Sequence, residues 1–285
     1  MMKRAIVVTS FGVGDICVKE RCIDTLLEDV RQVFGGRVAD AGTCGQDEGL
    51  SSPDDGVFEI FEAWTSVFLR KKMAREGHDC SSLVDVLEKL AAAGYDDVVI
   101  MPTHLTAGEE FQNKLVPAAG EFAGRFGSLS LMEPVFSVEE AGDFGFLTAD
   151  VLGLSELADD EAMVFMGHGS PHQHNEAYEL LQQYIDGQGW PVHIGVVEQE
   201  DYPNQQDVLK RLAERSVKKV YLRPLLLAGG NHATKDLAGE HPESWRSVLR
   251  AAGVAVRCST RGLGEYKAFR ELYVQKLKDT MKLKR

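Results

Sequence analysis

Positive charge is in short supply in this 285-residue chain. Its 31 Lys and Arg stand against 44 Asp and Glu, a formal net charge of −13. Such a surface repels phosphate backbones and anionic membranes, so no nucleic-acid or membrane partner is expected. Any positive charge needed for an anionic ligand has to be local. No run of 18 apolar residues occurs, so no helical span is expected either. Cysteine is scarce and odd in number: Cys17, Cys22, Cys44, Cys80 and Cys258. Cys17 and Cys22, the closest pair, do not form C-x-x-C, and the spacing fits no zinc pattern, which points to reduced thiols. No leader is expected either. Met1-Met2-Lys3-Arg4 runs into an apolar stretch at 5–8 that is too short for a signal-peptide core. These absences together make the cytoplasm the expected compartment.

What is present is an ordinary globular composition, 44% hydrophobic and 26% charged, with length for two cores. Strand-like and helix-like segments alternate. Strands are expected at 5–9, 57–64, 97–101, 162–166, 192–197, 217–227 (broken by Pro224) and 254–259, and the segment 129–135 closes the first half. Helices are expected between them: Ile23, Leu26, Leu27, Val30, Val33 and Phe34 share one face, as do Leu83, Val86, Leu87 and Leu90. A helix over about 108–126 is expected to bend at Pro117. Residues 40–56, rich in Gly, Ser, Asp and Pro, read as a loop. Alternation of this length implies parallel sheets with right-handed crossovers. The fold expected is α/β, with two similar doubly wound parallel-sheet lobes, 1–140 and 141–285, and a cleft between them. The last helix is expected to pack back on the first lobe.

An internal repeat supports two lobes. Ser10-Phe11-Gly12 aligns with Gly167-His168-Gly169, and Val98-Val99-Ile100-Met101-Pro102 with Val220-Tyr221-Leu222-Arg223-Pro224. Counting eight residues on from each proline pairs Glu110 with His232. The loops that follow these strands sit at carboxyl ends, where open α/β sheets bind ligands.

Eight histidines are present. His168 lies between two glycines directly after an apolar strand, Glu198 ends the next strand, and His232 follows Gly229-Gly230 after the one beyond. Three strand-end residues of types His, Glu and His suit a divalent metal with open coordination positions. The bland alternative for each is a structural hydrogen bond; as a trio the metal reading wins. His172 and His174 read either as transient metal contacts or as an exposed helix start. His104 follows Pro102 in the first lobe. His78, His193 and His241 read as ordinary surface or strand residues. Ser10-Phe11-Gly12-Val13-Gly14 lacks both the full dinucleotide fingerprint and a P-loop lysine. Arg70-Lys71-Lys72 with Arg75 is a basic cluster, either a solvated helix face or a contact for acidic substrate groups.

These motifs resemble the anaerobic sirohydrochlorin cobaltochelatases, class II chelatases related to the ferrochelatases. The resemblance is carried by Phe165-Met166-Gly167-His168-Gly169, Val197-Glu198 and Arg223-Pro224-Leu225-Leu226-Leu227-Ala228-Gly229-Gly230-Asn231-His232-Ala233. Val7-Val8-Thr9-Ser10-Phe11-Gly12, His104-Leu105-Thr106-Ala107-Gly108-Glu109-Glu110-Phe111 and Gly262-Leu263-Gly264-Glu265 add to it. It implies a lyase that inserts Co2+ into sirohydrochlorin or a related tetrapyrrole, in cobalamin or sirohaem biosynthesis. The metal is then a substrate, and no organic cofactor is expected. Alternatives on the same scaffold are a ferrous or nickel chelatase, or a tetrapyrrole or metal carrier without turnover. The resemblance implies metal ligands at His168, Glu198 and His232, catalytic roles for His168, His232 and Glu110, and substrate contacts at Ser10, Phe11, Gly12 and His104. A homo-oligomer is left open. The sequence departs from the family pattern at 40–56, at Val13-Gly14-Asp15 and at Gln199-Glu200-Asp201.

Overall fold

The computed structural model describes residues 2–35, 38–39, 57–78, 80–170, 172 and 174–282. The loop expected at 40–56 lies outside them. The chain divides into two compact units, Met1–Val135 with Glu271–Arg285, and Phe136–Arg270. The boundary expected from the sequence, between 140 and 141 with the last helix packing back on the first lobe, stands beside this division between Val135 and Phe136.

The first unit holds a parallel sheet in the order β2-β3-β1-β4-β5, made of β1 (Arg4–Ser10), β2 (Val38–Ala39), β3 (Glu59–Trp64), β4 (Asp97–Pro102) and β5 (Ser128–Leu131). β1 and β4 are buried along nearly their whole length, which is why they read as continuous apolar runs rather than alternating ones. The helix Leu83–Ala92 buries Leu83, Val86, Leu87 and Leu90, the face expected from their spacing. Ser82 starts it with a capping box: its hydroxyl accepts from Asp85 N, and the Asp85 carboxylate accepts from Ser82 N. That face packs with Val7, Val98, Ile100, Phe111 and Phe122 in one core. The segment expected to bend at Pro117 is a wide π-type turn, Phe111–Leu115, followed by the helix Val116–Phe122. Proline has no N–H to continue the ladder, and the irregular turn sits directly before it. At the end of the chain, Tyr273 donates its hydroxyl to Thr103 O at 2.8 Å and Lys276 donates to Pro134 O at 2.7 Å. Both contacts lie within the first unit.

The second unit repeats the plan with four strands in the order β7-β6-β8-β9: β6 (Ala162–Gly167), β7 (Val192–Val196), β8 (Lys219–Pro224) and β9 (Ala255–Cys258). Its helices, among them Ala177–Gly187, Gln205–Glu214 and Trp245–Ala251, alternate with the strands. Val164, Met166, Val208, Leu222, Trp245 and Leu249 share one core. Fully burying side chains of this size contributes roughly 1.5–3 kcal/mol each. The strand expected over 217–227 ends at Pro224. Pro224 pairs with Met166 in register as Pro102 pairs with Thr9. The two units thus carry matching strand orders, β3-β1-β4-β5 and β7-β6-β8-β9, and the expected α/β architecture of two parallel sheets is present. Among the described residues, no helix is long and apolar enough to cross a membrane.

Candidate metal centre

The centre is built at the carboxyl ends of β6, β7 and β8. β6 ends at Gly167 and the chain turns at once through His168 and Gly169. Gly169 sits at φ +80°, in the left-handed region, and a Cβ there would lie 2.8 Å from Val196 Cβ. Only glycine satisfies both demands, so the turn that aims His168 depends on it. Glu198 N donates to His168 O at 3.1 Å, which fastens the end of β7 to this turn. The Glu198 carboxylate comes to 3.9 Å from His168 Nδ1. His232 opens a π-type turn, His232–Leu237, after the loop beyond β8. Its ring lies 4.8 Å from the His168 ring, centroid to centroid, at 77°. The structure therefore brings His168, Glu198 and His232 together, all partly open to solvent.

The hydrogen bonds fix what each ring presents. His168 Nδ1 is 3.1 Å from Gly169 O, and a carbonyl only accepts, so Nδ1 carries the proton. His232 Nδ1 is 2.7 Å from Asp236 Oδ2, which accepts in the same way. In a ring bonded this way the lone pair is left on Nε2, an atom able to ligate a metal. Asp236 lies one turn further along the same helix and was not singled out from the sequence. The sequence signal was an acidic residue four positions after a candidate ligand, the spacing that places two side chains on one helical face. Among the described residues, no group of three or more His, Cys, Asp or Glu side chains is arranged so that it could hold a metal ion, and His168, Glu198 and His232 are neighbours without closing into such a group. The site is an open pair of imidazoles with a carboxylate beside one of them.

The other histidines separate clearly. His172 is exposed. His174 does not present a free ring: Nδ1 lies 2.9 Å from Asp201 and Nε2 2.8 Å from Glu179. Its hydrogen bonds to Asp201 and then Glu179 hold its pKa above the usual histidine value. His241 Nε2 donates to Lys235 O. His193 was expected to be an ordinary strand residue, yet it is 1% exposed, and Arg211 Nε donates to its Nδ1 at 3.0 Å. Burial first, and then the charge of Arg211, push its pKa down to about 4.

The remaining expected residues belong to the first unit. Phe11 is half exposed, and its carbonyl accepts from Ser66 N at 3.1 Å, the counterpart of the His168–Glu198 backbone bond. Gly12, at φ +100°, is the counterpart of Gly169. Ser10 Oγ, Thr65 Oγ1 and both His104 ring nitrogens are buried with no hydrogen-bond partner. Burial, and then the charge of Lys114, hold the His104 pKa down at about 4. Lys114 Nζ pairs with Glu110 at 2.8 Å and donates to Thr65 O at 3.3 Å. In the basic cluster, Lys72 donates to Gly14 O at 2.6 Å and Arg70 lies 3.8 Å from Asp85. One alignment needs correction. Gly108 and Gly229 each accept the first helical hydrogen bond of their segment, from Gln112 N and Ala233 N, and the π-type turns begin at Phe111 and His232. The counterpart of His232 is thus Phe111, not Glu110, because the loop after Pro224 is one residue shorter than the loop after Pro102.

Two imidazoles and a carboxylate at adjacent strand ends of a parallel α/β scaffold are a donor set that suits a divalent metal ion. The family model for cobalt chelatase (CbiK) matches residues 52–282. The chain is similar to a sirohydrochlorin cobaltochelatase of Salmonella typhimurium, 32% identical over 285 residues that cover 99% of this chain and 98% of that one. It is also similar to the sirohydrochlorin cobaltochelatase CbiKC of Nitratidesulfovibrio vulgaris, 32% identical over 219 residues, 75% of this chain and 76% of that one. In fold it is similar to SirB from Bacillus subtilis, solved with Fe3+, at a TM-score of 0.55 and 15% identity, covering 98% of this chain and 96% of that one. The chain belongs to the cobalt chelatase (CbiK) family.

Proposed function

We propose that this chain is a sirohydrochlorin cobaltochelatase, which inserts Co2+ into the metal-free tetrapyrrole as a step of cobalamin or sirohaem biosynthesis. The observation that carries this reading is the pairing of His168 and His232, rings 4.8 Å apart, with each Nδ1 engaged and each Nε2 left to bind a metal. Insertion exchanges two pyrrole N–H protons for one divalent ion. The protein has to hold the ion loosely enough to release it, because binding the ground state tightly does not speed transfer. An open site with two imidazoles suits that demand better than a closed cage. His168 and His232 hold the incoming ion, and Glu198 balances its charge. Glu110 takes part in proton removal, with Lys114 beside it as a charge partner. Ser10, Phe11, Gly12 and His104 contact the macrocycle. Buried donors and acceptors without protein partners, such as Ser10 Oγ and the His104 nitrogens, are groups that a polar ligand or water satisfies.

The ligand set does not by itself separate Co2+ from Fe2+ or Ni2+, because selectivity rests on geometry and availability more than on ligand type. The test is an insertion assay with sirohydrochlorin and each ion, followed by absorption. Turnover beyond one equivalent, greatest with Co2+ and lost in His232→Ala, is the expected result. Greatest turnover with another ion assigns a different chelatase. A stop at one equivalent identifies a carrier and overturns the proposal.

A further inference from the structure

Asp201 lies three residues beyond Glu198, in the link after β7 where the sequence departs from the family pattern. Its side chain is fully buried, at 0% exposure. Burying an ionised carboxylate is costly unless its oxygens are matched by donors. Here both oxygens are matched. Oδ2 accepts from Ser170 N at 2.8 Å. Oδ1 accepts from Tyr202 N at 2.8 Å and from Asn175 N at 3.3 Å, and lies 2.9 Å from His174 Nδ1. Three of these four donors belong to the loop that carries His168, and the fourth belongs to the link that carries Glu198. The opposite nitrogen of His174 reaches Glu179 on the helix Ala177–Gly187, so the loop is also tied to that helix. Two backbone bonds close the arrangement: Glu198 N to His168 O at 3.1 Å and Asp201 N to Glu198 O at 3.3 Å. One buried carboxylate therefore joins two loops whose separation decides how far His168 stands from Glu198.

We propose that Asp201 is a positioning residue of the metal centre, which locks the His168 loop to the Glu198 link and sets the distance between imidazole and carboxylate. This assignment rests on the reading of His168 and Glu198 as metal ligands. Asp201 touches neither metal nor substrate; it acts through the backbone of Ser170 and Asn175 and through the ring of His174. Among the described residues, Glu198 is the carboxylate beside His168, 3.9 Å from its Nδ1, so a shift of the loop changes whether the Glu198 carboxylate and His168 Nε2 reach one ion.

The experiment titrates Co2+ into the full-length protein and its variants, reading affinity by calorimetry and ligand geometry by the visible d–d spectrum of bound Co2+. Thermal melting of each variant reports folding. Asp201→Asn keeps the shape but turns one accepting oxygen into a donor, which cannot face the backbone N–H groups. It is expected to bind Co2+ about 10- to 100-fold more weakly, the range seen when an outer partner of a ligand is removed. Its spectrum should be altered and its kcat should fall more than the KM for the tetrapyrrole changes. His174→Gln removes the tie to the helix, leaves the Asp201 carboxylate in place, and is expected to give a smaller loss in the same direction. If Asp201→Asn does not fold, His174→Gln decides. A folded Asp201→Asn, or failing that a folded His174→Gln, with wild-type spectrum and affinity overturns the proposal. His168→Ala separates the two readings. If it loses Co2+ binding while the positioning variants do not, only the positioning role falls; if it binds as the wild type does, the metal centre itself is misassigned and the positioning role falls with it.

Discussion

Asp236→Asn isolates one hydrogen bond of the centre. In the wild type the Asp236 carboxylate accepts from His232 Nδ1 at 2.7 Å and so holds the lone pair on Nε2. An asparagine amide in the same place either accepts more weakly or turns its NH2 toward Nδ1. In the second case the proton moves to Nε2 and the ring cannot ligate until it tautomerises or flips. Charge-assisted hydrogen bonds are worth about 1.5–3 kcal/mol. The side chains of His232 and Asp236 are 42% and 38% exposed, so solvent screening places this bond at or below the lower end. About 1.4 kcal/mol corresponds to a tenfold change in affinity. Asp236→Asn is therefore expected to bind Co2+ about tenfold more weakly at neutral pH, with its melting temperature near that of the wild type. Calorimetric titration of Co2+ into both proteins, in one buffer and at one ionic strength, measures the difference. Affinity within twofold of the wild type would refute the claim that Asp236 fixes the tautomer, and with it the assignment of Nε2 as the ligating atom of His232.

Two further expectations follow from other side chains. Glu110→Gln keeps the size of the side chain but removes a proton acceptor; loss of general-base action costs about 10²–10⁴-fold in rate, so kcat in the insertion assay should fall while Co2+ affinity, read in the absence of tetrapyrrole, stays the same. His193 is buried with its pKa pushed down to about 4, against a usual value near 6.5. In that window the unfolded chain binds a proton that the folded chain does not, so the stability held above pH 6.5 is lost as pH falls toward 4, by at most about 3 kcal/mol from this residue. Urea unfolding at pH 7 and pH 4.5 should show a smaller drop for His193→Gln than for the wild type, and equal drops would contradict the burial argument.

Much of the architecture was legible because parallel strands buried on both faces leave apolar runs, and amphipathic helices leave a 3.6-residue rhythm. β1, β4, β6 and β8 and the helix Leu83–Ala92 were visible for that reason. The clustering of His168, Glu198 and His232 was legible because glycines mark the turn around His168 and because strand ends are where α/β sheets place chemistry. The pairing of Glu110 with His232 failed for a local reason. Residue counting is blind to a one-residue difference in loop length, whereas the hydrogen bonds to Gly108 O and Gly229 O locate the true counterparts. Asp201 and His193 were not visible as important, because their roles depend on donors brought from distant parts of the chain: Ser170 N reaches Asp201 across 31 positions, and Arg211 reaches His193 across 18. Periodicity carries no information about such partners.

The two units share strand order, turn geometry and the backbone bond that follows the first strand, but not their side chains at matching positions. Where the second unit has His168, Glu198 and His232, the first has Phe11, Ser66 and Phe111. None of those three is a good ligand for a divalent ion at neutral pH. The duplicated framework is thus chemically one-sided, and each chain should take up one equivalent of ion at this kind of site rather than two. Phe11, half exposed at the position that matches His168, offers an apolar surface there in place of an imidazole.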